Sequence, residues 1–349
     1  MAPSPPSSTT TPPPPPPSLL DHIVILIPHS FLTSPPSWFS APFRFAPGGR
    51  HADGLTENRL VLLADGSYLE FIAFVPGGET RRLTHRWGRK PEGTVIDWAL
   101  TLHAPGDDGD GDGDGDGDDE GKGEIKHGPE FREIQERVEQ ADADAGIVYA
   151  DPVRGGRVRP DGVQLRWAVA SAKRKNPSSS AAAAAAALGA GGDKDGWVPL
   201  EPGQLPFWCL DETPRRLRVP YEEDADQIRH PTGVVGVAEV EVAVGGESGS
   251  KEKAKERESL GAVYDAVFGK QAAGKGDAWE VRTLAGEGRH PPGRVVLAAA
   301  QEGGSNGTGA ADIKITFYTD DEDWVGKTIG GKVDDEHTLE FKLVAATSK

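Results

Sequence analysis

The stretch LLDHIVILIP (19–28) sets Asp21 and His22 at the mouth of an apolar run, and SYLEFIAF (67–74) sets a lone glutamate, Glu70, inside another. A polar group carried into a segment that will be buried needs partners there, either neighbouring side chains and backbone or a ligand. If both runs are strands, alternation puts His22 on one face with Val24 and Leu26, and Glu70 on one face with Tyr68 and Ile72. A carboxylate so placed can move a proton. A half-buried pair that bonds only to itself or to the backbone would fit the same letters.

PGGRHADG (47–54) places His51 beside Gly48, Gly49 and Gly54, whose backbones can approach a ligand closely. Arg50 and Arg59 offer guanidiniums to a carboxylate or phosphate, and Asn58 offers an amide to the same ligand. A wide turn whose histidine caps a strand end is the alternative. Trp87 and Trp167 could line a pocket or plug a gap between segments. GDGDGDGDGD resembles part of a calcium loop but lacks the closing glutamate and flanking helices. The lone Cys209 has Arg215 and Arg216 after it, which can activate a thiol, although a buried inert cysteine is commoner. No GxSxG motif and no phosphate-cradling glycine loop occurs.

The elements that must position these residues are legible at both ends of the 349-residue chain. HIVILIP reads as a strand, and SFLTSPPSWFSAP as a helix that Pro35 and Pro36 open or break. Three more strands follow: one around Phe43 to Ala46, ENRLVLL closed by the Asp65-Gly66 turn, and SYLEFIAFV. The closing third repeats that order. GVAEVEVAV is followed by an amphipathic helix over 251–269, then AWEVRTLA, GRVVLAAA and DIKITFYT, with HTLEFKLVA last. The fold class expected is therefore α+β: two paired βαβββ modules, 19–80 and 231–349, with 81–230 as an inserted segment. Within that segment GTVIDWALTL and DGVQLRWAVA read as strands, and GPEFREIQERVEQADADAG as a charged helix.

Three tracts are too biased to build a core and are expected to be disordered: the proline-rich 1–18, the Asp-Gly tract at 106–124 and the alanine-rich 178–196. A net charge of −17 argues against a nucleic-acid footprint, which needs clustered Lys and Arg. One cysteine allows no internal disulfide, and no apolar run nears the roughly 20 residues that span a bilayer. A cytoplasmic monomer or homodimer that binds a small molecule, without nucleic acid or membrane partners, is the expectation.

LDHIVILIP, GGRHADGLTENRLVLL and SYLEFIAF together resemble the glyoxalase-like domain of the vicinal oxygen chelate superfamily, in the branch with an "LDH" first strand, a "GGxH" loop, an Asn before the third strand and a "YLE" fourth strand. RPDGVQLRW, TPRRLRVPY and HPTGVVGV are weaker resemblances to the same branch. The resemblance implies modules curled into a half-open barrel around one site, and its metal-dependent members take ligands from the first and fourth strands of each module. Carried over, those positions are His22 and Glu70, with Glu239 opposite His22 in the closing module and Lys314 or Thr316 opposite Glu70. Imidazole and carboxylate suit zinc, nickel, iron or manganese. The chemistry implied is that of a lyase or isomerase, with Glu70 and Glu239 as proton carriers and Arg50, His51, Asn58 and Arg59 holding a polar or anionic carbonyl compound. A sequestering protein without metal or turnover is the rival.

Overall fold

A computed structural model describes residues 18–102, 128–141, 146–159, 161–175, 196–245, 251–269, 277–285, 290–300 and 311–346. The three biased tracts lie outside the described residues, apart from Ser18 and Gly196 at their ends. The chain opens with strand β1 (Leu19–Leu26), helices α1 (His29–Thr33) and α2 (Ser37–Ser40), then strands β2 (Ala46–Arg50), β3 (Thr56–Leu62) and β4 (Tyr68–Phe74). The Pro35-Pro36 pair splits the expected helix in two because proline cannot donate within a helix interior. β2 begins where the expected strand ends, with Phe43 packed in the core before it.

After α3 (Glu79–Arg82) come β5 (Thr94–Thr101), α4 (Pro129–Ala141), β6 (Ile147–Tyr149), β7 (Val153–Val158), β8 (Gln164–Ala170), β9 (Ala172–Lys175), β10 (Trp197–Pro199), β11 (Phe207–Asp211) and α5 (Arg215–Arg218). The last third holds β12 (Val234–Val244), α6 (Lys251–Phe268), β13 (Ala278–Val281), β14 (Gly293–Ala299), β15 (Asp312–Thr319), β16 (Thr328–Lys332) and β17 (Thr338–Ala345). Among the described residues the strands form an eight-stranded sheet in the order β2-β3-β4-β1-β5-β11-β8-β7, a six-stranded sheet in the order β13-β14-β12-β15-β17-β16, and a small sheet of β10, β9 and β6.

The class is α+β, and the eight-stranded sheet curls into the half-open barrel of the vicinal oxygen chelate fold. Its second half is not the closing segment. β1 pairs along its length with β5, antiparallel, so the strands that continue the first module come from the stretch expected to be an insertion. The physical reason is strand length and polarity: β7 is VRGGRV, with two glycines and exposed residues, and gives no alternating apolar signal, yet it forms a full ladder with β8. The closing segment builds its own sheet around the antiparallel pair β12 and β15.

The two large sheets share one core. Phe39, Phe43, Phe71, Trp98 and Trp208 of the first half meet Val240, Phe317, Phe341 and the α6 residues Leu260, Val263 and Tyr264. These eleven side chains, each worth roughly 1.5–3 kcal/mol on burial, make this interface a main source of cohesion. The β3–β4 turn adds polar fixings: the Asp65 amide donates to Val235 O (3.1 Å), and Val237 N donates to Asp65 Oδ2 (3.1 Å). Burial raises the Asp65 carboxyl, against the opposing pull of its Ser67 hydrogen bonds. The opposite face of the eight-stranded sheet carries a separate apolar cluster including Val24, Leu26, Ile72, Trp87, Ile96, Phe207 and Cys209, and it is this face that the curl encloses.

Candidate functional site

The enclosed face forms a cleft of about 330 Å³, within the range of small-ligand sites. β1 contributes His22, β3 Thr56 and Asn58, β4 Tyr68 and Glu70, β7 Arg157, β8 Trp167, and β11 Phe207 and Cys209. The edge strands β2 and β7 close the rim, where Arg157 Nη1 donates to Gly48 O (3.0 Å).

Glu70 sits at the centre and is 5% exposed. The Nε2 of His22 lies 3.7 Å from one carboxylate oxygen, and the Nε2 of His51 lies 3.5 Å from the other. Both distances are longer than a hydrogen bond. Asn58 Nδ2 donates to Glu70 Oε1 at 2.6 Å, and its Oδ1 accepts from Gly49 N at 2.9 Å, so the amide is held in one orientation. The glycine pair is a packing requirement here: a Cβ at Gly48 would stand 2.0 Å from the Asn58 carbonyl oxygen. His51 is fixed by a contact of 2.7 Å between Nδ1 and Thr56 Oγ1. His22 stacks on Tyr68 with ring centroids 4.6 Å apart, and its buried Nδ1 faces Asp21 Oδ2 at 3.4 Å without forming a well-aligned hydrogen bond.

Beneath this floor lie two buried arginines and two aspartates. Arg215 and Arg218 each reach Asp21 (2.8 and 3.0 Å), and both also reach Asp211. Burial alone would raise the Asp21 carboxyl, but the two guanidiniums and His22 outweigh it and hold it well below the usual carboxylate range. Arg218 Nη1 also donates to the Tyr68 hydroxyl at 2.7 Å, leaving the phenolic proton free to be donated. Burial pushes the Tyr68 hydroxyl and the Cys209 thiol well up, with Arg218 opposing in both cases.

His22, His51, Asn58 and Glu70 are therefore brought together as their motifs suggest. Glu239 is not. It lies on β12 in the other sheet, ion-paired with Arg294 on the solvent-facing side. Lys314 and Thr316 are on β15 of that sheet, where Lys314 reaches Glu241 at 3.3 Å. Arg50 turns outward and pairs with Glu57 (2.7 Å). Arg59 neighbours Asn58 on β3, so strand alternation sends it to the opposite face, over the Phe45 ring at 5.0 Å.

Register identifies what stands where a second module would place its ligands. His22 pairs with Ala99 on β5 and with Tyr68 on β4, Glu70 being two residues beyond Tyr68. Ala99 in turn pairs with Phe207 on β11, and Cys209 is two residues beyond Phe207. The β1–β5 ladder is symmetric about the pair Ile23 and Trp98, so His22 answers to Asp97, and Val24, which pairs with Glu70, answers to Ala99, which pairs with Phe207. The counterparts of His22 and Glu70 are thus Asp97 and Phe207.

Asp21, His22 and Cys209 present atoms within 4.8 Å of one another, the grouping nearest to a metal centre among the described residues. The chemistry of these donors does not suit a divalent ion. Both Asp21 oxygens are bound by guanidiniums, the thiol is held protonated by burial, and two arginine charges lie where a cation would be repelled.

Sequence reasoning missed Arg157, Arg218, Tyr68 and His85, all of which line the cleft. The Arg-rich fragment TPRRLRVPY was noted for resemblance only, and nothing in VRGGRV marks Arg157 as inward-facing. Burial lowers the His85 imidazole to about 4 in spite of the nearby Asp53.

A half-open barrel of this kind, with one polar floor and aromatic walls, is a small-molecule-binding architecture. A hypothetical protein from Staphylococcus aureus has a similar fold, with a TM-score of 0.50 at 10% identity, covering 94% of this chain and 100% of that one. The family model of the glyoxalase-like domain matches residues 20–256, so the chain belongs to that family, within the vicinal oxygen chelate superfamily. No curated protein matches the sequence.

Proposed function

We propose that the cleft binds a small polar or anionic carbonyl compound and moves a proton on it, as a lyase or isomerase does. The observation that carries this reading is a nearly buried carboxylate, Glu70, with an imidazole nitrogen on each side at 3.7 and 3.5 Å. Glu70 Oε1 is engaged by Asn58, which leaves Oε2 as the basic oxygen. Glu70 removes a proton from the carbon beside the carbonyl, and the electron pair moves onto the carbonyl oxygen. Tyr68, whose own oxygen accepts from Arg218, donates its O–H to that oxygen. His51, with its side chain 20% exposed, carries protons between the site and water. Positioned acid–base groups contribute about 10²–10⁴ in rate. No step of this scheme is routed through a zinc, nickel, iron or manganese ion; Asp21 is committed to arginines and the Cys209 thiol is held protonated by burial.

A binding protein without turnover is the second reading. The counterpart positions favour it, since Phe207 stands for Glu70 and the Asp97 carboxylate that stands for His22 is committed to Arg86 (2.6 Å) and the Trp87 indole (2.8 Å).

The test is hydrogen exchange in D2O, followed by proton NMR, with a series of 2-oxo acids and their methyl esters. Exchange at the carbon beside the carbonyl, lost in Glu70→Gln, is expected. No exchange with any compound, alongside saturable binding, would leave the binding-only reading standing.

A further inference from the structure

Four arginines line the cleft, and three are matched by carboxylates: Arg86 with Asp97 at 2.6 Å, Arg154 with Glu212 at 3.0 Å, and Arg218 with Asp21 and Asp211. Arg157 differs. It is 5% exposed, it donates to Gly48 O, and no carboxylate lies within ion-pair distance of it among the described residues. Removing a guanidinium from water without a counter-charge is costly. Burial accordingly pushes the Arg157 guanidinium downward from its ordinary range, against the pull of Tyr68 and of the more distant Glu70 carboxylate. A charge kept in that condition on a cleft wall has a partner to come.

The wall beside it is aromatic, its Trp87 and Phe207 rings tilted by 58° and bordered by the Arg86 guanidinium. Trp167 on β8 lies over β7, where Gly155 leaves the room: a Cβ at that position would stand 3.0 Å from the indole nitrogen. Phe207 and Trp87 continue the surface, with ring centroids 6.3 Å apart. The cleft thus offers one unmatched cation, a hydrogen-bonding floor and an aromatic side, in a volume that holds little more than a single ring and a short chain.

We infer that Arg157 is the specificity-determining residue of the cleft and that its ligand is a small organic monocarboxylate with an apolar, preferably aromatic, body. The carboxylate pairs with the guanidinium, and the body lies on Trp167, Phe207 and Trp87. This deepens the proposed function, since it concerns the same cleft, but it makes no use of proton transfer.

Unreactive ligands test it directly. Acetate, 3-phenylpropionate and 4-phenylbutyrate, each with its amide, are titrated against the full chain at low salt by calorimetry. The phenyl acids are expected to bind at least tenfold more tightly than their amides and than acetate, with a preference that shrinks as salt is added. Arg157→Gln should abolish the acid-over-amide preference while leaving amide binding within about twofold. Trp167→Ala should weaken acid and amide alike, by roughly tenfold. Equal binding of acids and amides by the unaltered protein overturns the inference without any variant, and so does failure of every compound to bind. Acid-selective binding that depends on Arg157, with no isotope exchange in the 2-oxo acid series, overturns the proton-transfer reading and leaves this one intact. Exchange that is as fast with the esters and unaffected by Arg157→Gln does the reverse.

Discussion

The eight-stranded and six-stranded sheets follow the same course around a central antiparallel pair, yet among the described residues only the first curls over its own face to enclose a polar floor, while the second lends one end, at Val234 and Thr319, to a wider cavity. In the first, β1 pairs antiparallel with β5 and parallel with β4; in the second, β12 pairs antiparallel with β15 and parallel with β14. Both central strands break register at a matching place, between Leu20 and His22 and between Val237 and Glu239. By that register Glu239 stands where His22 stands. His22 has Tyr68 and Ala99 beside it and is buried, whereas Glu239 has Arg294 and Thr316 and faces solvent with Arg294. The difference lies at the edges. The first sheet continues outward to β2 and β7, which curl together; the second stops at β13 and β16. Enclosure, rather than strand order, turns a polar strand residue into a candidate for chemistry.

The comparison can be broken most readily through its ion pairs. Arg218→Met strips a partner from Asp21 and Asp211 beneath the cleft and should lower stability by about 3–5 kcal/mol. Arg294→Met removes the exposed partner of Glu239 and should cost no more than about 1 kcal/mol. Urea unfolding of the two variants measures both, and equal losses would contradict the burial contrast. Next comes chemistry: Glu70→Gln should reduce isotope exchange by about 100-fold or more, while Glu239→Gln should stay within twofold. An equal effect of both would mean that the second sheet takes part.

The seam between the halves gives a pH test. His230 Nδ1 accepts from Arg44 N (3.1 Å), so Nε2 carries the proton and donates to Leu62 O (2.9 Å). Burial lowers this imidazole to about 4, with Arg44 assisting and the Leu62 bond opposing. An unfolded histidine titrates near 6.5. The unfolded chain therefore binds the extra proton first, and stability is full above about pH 6.5 and declines toward pH 4. The decline attributable to this group is roughly 2–3 kcal/mol, and His230→Gln should flatten that part of the profile in thermal unfolding at fixed ionic strength. The smallest effect expected is at Cys209. Its buried thiol should react with a thiol reagent only when the protein unfolds, with a rate that follows urea concentration.

The first module was legible because its strands are apolar on both faces and its motif residues interrupt them. All eight residues of β1 and all seven of β4 are buried, so His22 and Glu70 stood out as exceptions. The closing sheet was legible for the opposite reason: β15 and β17 alternate buried and exposed residues along their length. That clear alternation made it look like the missing partner of the first module, although it is the signature of a sheet with one wet face. The true partner was harder to read. β11 is FWCLD, five residues long, and β7 is mostly arginine and glycine, so neither carries a period that local sequence can reveal. Arg157 was invisible for that reason, and Glu239 was misplaced because register cannot say which sheet a strand joins.

The family match stops at residue 256, partway along α6, after β12 has been laid down. β12 is bordered by β14 on one side and β15 on the other, and both come later in the chain. A protein cut at that boundary would keep every residue of the cleft and present a long, apolar strand with two bare edges. It would stick to its own copies before it met any ligand, so the tail beyond the shared domain acts as a sheath for the shared domain's last strand.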